Sequence, residues 1–385
     1  MKPAILTPDA LRRALTLRDL ADPAAGPHAM QHVVAAIGEA LAARWRCEVR
    51  VHRAHPVVPL ADNYDRLHYP HDGAARDARY TRYVSETTVL RTHTTAMIPR
   101  LLREVAAGPP GDVVLMCPGL VYRRDQIDRI HTGEPHQMDV WRVARRRLGT
   151  DDLREMAAAV IAAVLPGAEH RLNPADHPYT VDGLEIEARV GGEWVEVGEC
   201  GLALPAILDE AGLPTTEWSG LAMGLGLDRL LMLAKGIDDI RLLRSADPRV
   251  AAQMLDLEPY RPVSSQPPVR RDLSVAVGAS RTPEELGDRV RQALGEAVES
   301  LESVEVLSET EHDDLPPVAR ERIGMRPGQK NVLVRIVIRD LARTLTSDEA
   351  NALRDAVYAS LHEGDAWQWA GSPPLVAPIT ERVSG

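Results

Sequence analysis

Pro118-Gly119-Leu120-Val121-Tyr122-Arg123-Arg124-Asp125 is the stretch on which the reading of this chain turns. An apolar run, Val113 to Met116, leads into it. Polar residues follow, then His131 and Pro135-His136-Gln137-Met138-Asp139. The pattern predicts a strand, a tight loop and a returning strand. Two arginines and an acid at a strand end set a bidentate cation beside a bound anion, because the rigid guanidinium fork matches phosphate oxygens. Taken alone, the same residues favour a solvated hairpin tip with a surface ion pair.

Two further stretches change that balance. One is Arg91-Thr92-His93-Thr94-Thr95. The other is Gly224-Leu225-Gly226-Leu227-Asp228-Arg229-Leu230. In this order and at this spacing, the three together resemble the phenylalanyl-tRNA synthetases. The opening stretch resembles class II motif 2 and the glycine-rich one motif 3. The fold implied is α+β: a class II antiparallel sheet flanked by helices, plus a C-terminal ferredoxin-like βαββαβ domain. The domains expected are a catalytic one over 1–255, a linker over 256–265 and an anticodon-binding one over 266–385. The helix and strand near Met30–Val51 would be motif 1, which leaves monomer and homodimer both open.

The resemblance also assigns roles. Arg123 would grip the amino-acid carboxylate and the ATP α-phosphate, and Arg229 the γ-phosphate; these two are the catalytic residues. Asp125, His131 and Glu196 would complete the ATP site, with Glu196 on Mg2+. His93, Thr95, Gln137 and Asp139 would hold the ammonium and carboxylate of the amino acid. His177, Tyr179, Glu199 and Ala222 would surround its side chain. The implied cofactors are ATP and Mg2+, and the implied partners are an amino acid and a tRNA, tRNA-Phe in the leading reading.

Several positions depart from the family pattern. His177-Pro178-Tyr179-Thr180 stands where the family has Phe-Pro-Phe-Thr, Glu199 replaces a glycine, and Asp139 replaces a glutamate. A buried polar group without a partner is costly. His177, Tyr179 and Glu199 therefore expect a polar substrate group, unless His177 and Glu199 turn outward or pair together. Two alternatives follow: a paralogue that activates a more polar or non-standard aromatic amino acid, or a non-catalytic tRNA- or nucleotide-binding regulator.

Composition sets outer limits. The 385 residues suffice for two domains, and the net charge of -11 excludes a generally basic nucleic-acid coat. The three cysteines, Cys47, Cys117 and Cys200, show no metal spacing and suit a reducing compartment. No apolar run is long enough to span a membrane, and the N-terminus lacks a signal pattern. Together these predict a cytoplasmic protein with no membrane contact. In the C-terminal third, Leu273, Val275 and Val277 alternate, as do Val332, Val334, Ile336 and Ile338, predicting strands. Thr282-Pro283-Glu284-Glu285 and Thr346-Ser347-Asp348-Glu349 are capping boxes. Trp367 and Trp369 mark a last strand. Arg270, Arg271, Lys330, Arg335, Arg339 and Arg343 form a candidate basic patch for a tRNA stem-loop.

The chain contains no phenylalanine, against eight tyrosines and six tryptophans. Its own translation therefore needs no Phe-tRNA. Its synthesis is expected to continue under phenylalanine depletion while that of ordinary proteins stops. Pulse-labelling during starvation checks this, and a parallel arrest would remove the idea.

Overall fold

The quoted stretch closes a long strand rather than a short one. The computed structural model describes residues 5–77, 80–108, 111–124, 126–263, 267–341 and 343–367. It divides into two units, Met1–Asp125 with Arg129–Val263, and Gln126–Asp128 with Ser264–Gly385.

The first unit begins with α1 (Pro8–Thr16), α2 (Ala29–Trp45), β1 (Glu48–Val51), β2 (Val57–Pro59) and α3 (Leu60–Asn63). Then come β3 (Thr88–Leu90), α4 (Ile98–Ala107), β4 (Asp112–Leu120), β5 (His136–Ala144), α5 (Thr150–Val164) and β6 (Glu169–Pro174). It continues with β7 (Thr180–Val190), β8 (Glu193–Ala203), α6 (Pro205–Glu210), β9 (Ser219–Gly226), α7 (Leu227–Lys235) and α8 (Pro248–Ala251). Seven strands form one sheet in the order β1-β4-β5-β9-β8-β7-β6. Only the β1–β4 pair is parallel. The expected tight loop between β4 and β5 is instead a long connection, residues 121–135.

Strand alternation divides the sheet's two faces. Trp141 and Val143 of β5, Leu115 of β4 and Ala222 of β9 pack with Ile98, Leu101, Leu102 and Val105 of α4. Gln137 and Asp139 share that face by parity. On the opposite face, α2 packs against α5 and α7. Arg142 lies there, buried, in a two-bond pair with Asp112 and with its guanidinium 4.0 Å from the Trp45 ring centroid. Arg145 pairs with Glu217 and Arg146 with Asp152. Each of these arginines is thus paired with a carboxylate of the same unit.

Close approach explains Gly119. A Cβ there would stand 2.3 Å from Arg91 Nη2. The buried Arg91 needs that space to donate from Nε to Leu120 O at 2.7 Å and from Nη1 to Ala54 O at 3.0 Å. The lack of phenylalanine is met by tyrosines that satisfy their hydroxyls. Tyr64 donates to Ala75 O, Tyr83 to Arg76 O and Tyr122 to Ala14 O, at 2.7, 2.7 and 3.1 Å. Each ring is buried without leaving a donor unpaired. Lys235 is also buried, and its ammonium donates to Asp256 O at 2.9 Å and Glu258 O at 2.5 Å. These bonds tie residues 256–258, expected as linker, to the end of α7.

The second unit runs β10 (Val269–Gly278), α9 (Pro283–Leu294), β11 (Leu301–Glu311), α10 (Pro317–Ile323), β12 (Gln329–Ile338) and α11 (Ser347–Leu361). Its antiparallel sheet has the order β10-β12-β11. Both capping boxes form, Thr282 with Glu285 and Thr346 with Glu349. Leu273, Val275, Val332, Val334 and Ile336 face Leu286, Val290, Val357 and Leu361 in one core. Trp367 lies outside any strand and packs on Tyr358 and His362, 5.4 and 5.9 Å between centroids. Trp369 lies outside the described residues.

The six candidate tRNA cations do not form a free patch. Arg335 pairs with Asp272, Arg343 with Glu349, Arg339 with Glu302, and the buried Lys330 with Glu309. Cross-strand neighbours explain two of these: Asp272 lies opposite Arg335, and Glu309 lies diagonal to Lys330. Arg270 has no side-chain partner among the described residues, and Arg271 bonds only to Arg270 O and Asn351.

Candidate active site

A cavity of about 320 Å³ opens above the sheet face occupied by Gln137 and Asp139. β5, β8 and β9 form its floor, and Arg123, Ile130, His131, Thr132 and Pro135 with the start of α7 form one wall. It brings together Arg123, Arg229, His131, Glu196, His93, Thr95, Gln137, Asp139, Tyr179 and Glu199. Asp125 lies outside the described residues. His177 and Ala222 do not line the cavity. Ala222 sits opposite Trp141 in the β5–β9 register and is buried in the core with Trp141 and Tyr179. Its place as a pocket wall is therefore corrected: aromatic rings cover it.

Asp139 is 2 % exposed and well bonded. Its Oδ2 accepts from Thr94 Oγ1 at 2.9 Å and Thr95 Oγ1 at 3.0 Å, and its Oδ1 accepts from Trp141 Nε1 at 3.3 Å. The two threonines thus serve a carboxylate, and His93 occupies the cap position of the short helix that follows without a capping bond. Burial pushes the Asp139 carboxyl up to about 6, against the lowering effect of its three neutral donors. A cation brought beside it would reverse that shift.

His93 is 8 % exposed, and neither ring nitrogen has a hydrogen-bond partner. Burial, with Arg123 nearby, drives it down to about 3, so the imidazole is neutral. Its ring stacks on Tyr69 at 5.4 Å with an interplanar angle of 11°. Tyr69 neighbours Tyr179, and Tyr179 neighbours Trp141, each pair 6.3 Å apart. This aromatic row suits a flat ring. Tyr69 carries no periodic or motif signal in the sequence, and only the fold brings it here.

Arg123 donates from Nε to Thr92 O at 2.9 Å. Its two terminal nitrogens have no hydrogen-bond partner among the described residues, so the fork is available to an anion. Arg229 donates to Glu196 O at 2.9 Å and stands 3.5 Å from Glu196 Oε2. Partial desolvation raises the Glu196 carboxyl; Arg229 lowers it, and Glu199 adds to the rise. Among the described residues no three His, Cys, Asp or Glu side chains gather as a metal site. Glu196 lies beside Arg229 in the cavity and would suit a magnesium ion held chiefly by phosphates and water.

Asp228 positions the wall. Its Oδ2 accepts the His136 backbone N–H at 2.5 Å and its Oδ1 lies 3.0 Å from His136 Nδ1. Leu20 N–H donates to His136 Nε2 at 2.9 Å, which places the ring proton on Nδ1 facing Asp228. Burial would raise the Asp228 carboxyl, but His136 more than offsets it and the net shift is downward. Asp228→Ala is expected to cost about 3 kcal/mol, because it strands buried donors. Denaturant titration followed by circular dichroism checks this; a loss below about 1 kcal/mol would make the pair incidental.

Comparison with known proteins follows the same outline. The family described as tRNA synthetases class II core domain (F) matches residues 22–254. The α subunit of phenylalanine--tRNA ligase from Prochlorococcus marinus (strain MIT 9313) is 37% identical over 191 residues, 50% of this chain and 56% of the relative. The α subunit from Streptococcus thermophilus (strain CNRZ 1066) is 33% identical over 207 residues, 50% of this chain and 58% of the relative. The chloroplastic/mitochondrial phenylalanine--tRNA ligase of Arabidopsis thaliana is 29% identical over 317 residues, 78% of this chain and 68% of the relative. The chain thus spans little more than half the length of the α subunits it matches.

Proposed function

Because this chain belongs to the phenylalanyl-tRNA synthetase family of class II enzymes, we propose that it activates phenylalanine, or a close relative of it, with ATP and passes the acyl group to a tRNA. One observation carries the proposal: the free fork of Arg123 shares a cavity with the buried carboxylate of Asp139 and the guanidinium of Arg229.

In this reading Asp139 takes the ammonium and leaves the substrate carboxylate at Arg123. A carboxylate oxygen attacks the α-phosphorus, the bond to the pyrophosphate oxygen breaks, and an aminoacyl-adenylate forms. Arg123 offsets charge on the α-phosphoryl oxygens in the transition state. Arg229 and His131 receive the departing pyrophosphate. Magnesium supplies phosphate charge neutralisation when bound, with Glu196 as its protein contact. The aromatic row limits water at the side-chain end of the cavity. The aminoacyl group then passes to a ribose hydroxyl of the tRNA end, releasing AMP.

The second unit would meet the tRNA through Arg270 and Arg271, the two candidates without a carboxylate partner. The longer match to the plant organellar relative, whose name carries no subunit, supports a working form without a second kind of chain. Mass by light scattering tests that: one or two copies are expected. The function itself is tested by amino-acid-dependent ATP–pyrophosphate exchange across the standard amino acids, followed by tRNA charging. Exchange with none would return the chain to a binding role, against which Arg123 and Arg229 now stand.

A further inference from the structure

Deepening that reading, and resting on it, we infer that the side-chain end of the pocket is built for an aromatic amino acid whose ring carries a hydrogen-bond donor, with Glu199 as the residue that selects it. The argument begins with strand register. Gly224 of β9 pairs with Asp139 on one side and with Glu199 of β8 on the other. All three face the cavity. Neighbouring strands lie about 4.8 Å apart, so the two acidic residues stand roughly 10 Å apart across a single glycine. A Cβ on Gly224 would meet no heavy atom within 4 Å. An open lane therefore runs over Gly224 from one carboxylate to the other.

The two carboxylates differ in their surroundings. Asp139 has its lone pairs directed by Thr94, Thr95 and Trp141. Glu199 is held by one bond, with its Oε2 2.5 Å from His177 Nε2. Its other oxygen has no donor among the described residues. The pairing of His177 with Glu199 does not turn Glu199 away, since it still lines the cavity. It fixes the carboxylate and leaves one oxygen to accept. With the ammonium at Asp139, the group that reaches Glu199 belongs to the substrate's side chain.

The wall along that lane is aromatic. Tyr179 lies 6.0 Å from His177 and 6.3 Å from both Tyr69 and Trp141. A flat ring fits against it; a long aliphatic cation leaves it unused. Phenylalanine entering this lane strips water from Glu199 and gives nothing back. A site built to bond a substrate hydroxyl rejects the analogue that lacks it, because its own polar groups are then left unpaired.

The test uses the full-length purified chain in ATP–pyrophosphate exchange. The probes are phenylalanine, tyrosine, meta-tyrosine, 3,4-dihydroxyphenylalanine and 4-aminophenylalanine. At least one ring-substituted probe is expected to exceed phenylalanine tenfold or more in kcat/KM. Glu199→Gly should move that ratio at least tenfold towards phenylalanine, and Glu199→Gln, which keeps an acceptor oxygen, should move it less. Thermal melts establish that the variants are folded; where they are not, the ratio in the unsubstituted chain decides. Phenylalanine activated as well as the best probe overturns this inference and leaves the ligase reading intact, as does a ratio insensitive to Glu199→Gly. Exchange with none of the probes and none of the standard amino acids overturns both.

Discussion

Arg123→Ala is expected to lower the rate of ATP–pyrophosphate exchange by a factor of about 100–1,000, the scale on which removing one preorganised donor to a developing charge acts. The unsubstituted guanidinium spends one nitrogen on Thr92 O and keeps both ends of its fork open to the cavity. The loss therefore falls on chemistry rather than on folding, and the melting temperature should move little. Arg123→Lys keeps the charge but not the planar two-bond geometry, and should recover only part of the rate. Removal of the charge also raises the affinity of His93 for a proton, because Arg123 contributes to its depression. Exchange within tenfold of the unsubstituted chain would disqualify Arg123 as the residue on the α-phosphate. It would also reopen the non-catalytic reading.

Asp139→Asn should separate binding from stability. The ammonium loses its counter-charge, and KM for the amino acid rises by a factor of about 100 or more, as expected for a buried, hydrogen-bonded charge pair. KM for ATP should stay nearly unchanged. Stability should move the other way. The Asp139 carboxyl sits at about 6 in the folded chain against an ordinary 3.8. A carboxyl raised by folding destabilises the ionised folded state. That penalty is absent below the ordinary value, grows between it and about 6, and is complete above; its ceiling is about 3 kcal/mol. The neutral amide of the variant would escape it but misplace an NH2 against one of the three donors that now serve Asp139, so a net gain of about 1–2 kcal/mol near neutral pH is expected. For a unit of this size that is a rise of a few degrees in melting temperature. In the unsubstituted chain, kcat/KM for the amino acid should climb as pH rises through about 6 and the carboxylate ionises. A variant that is both less stable at neutral pH and unaltered in KM would show that Asp139 is a structural acid.

Activity at the cost of stability is the pattern expected where a binding group is held ready before its ligand arrives. The cavity carries two such groups, the raised Asp139 and the unpartnered His93. The Glu199–His177 pair is a third device of another kind, a carboxylate fixed by one bond and open at its second oxygen. The wall behind them carries little such tension: the His136–Asp228 pair is bonded on both sides and holds α7 against the start of β5.

Much of this protein was legible before any coordinate. Capping boxes at Thr282 and Thr346 and the alternation along β10 and β12 report interactions between residues a few positions apart. Arg123 and Arg229 stand out in the sequence through resemblance to family motifs, and the fold brings both to one cavity. What sequence alone left open depends on neighbours far along the chain. Thr94 and Thr95 serve a carboxylate because the fold brings up Asp139, some 45 positions away in sequence. Arg142 is drawn into the scaffold by Asp112 and Trp45, distant in sequence. Arg335, Arg339, Arg343 and Lys330 read as a patch only until sheet register and helix capping bring each its own carboxylate. The lane over Gly224 exists because β9 lies between β5 and β8, an order that no single strand encodes. Burial and cross-strand pairing set the protonation of Asp139 and the aim of Glu199, and both are properties of the assembled sheet.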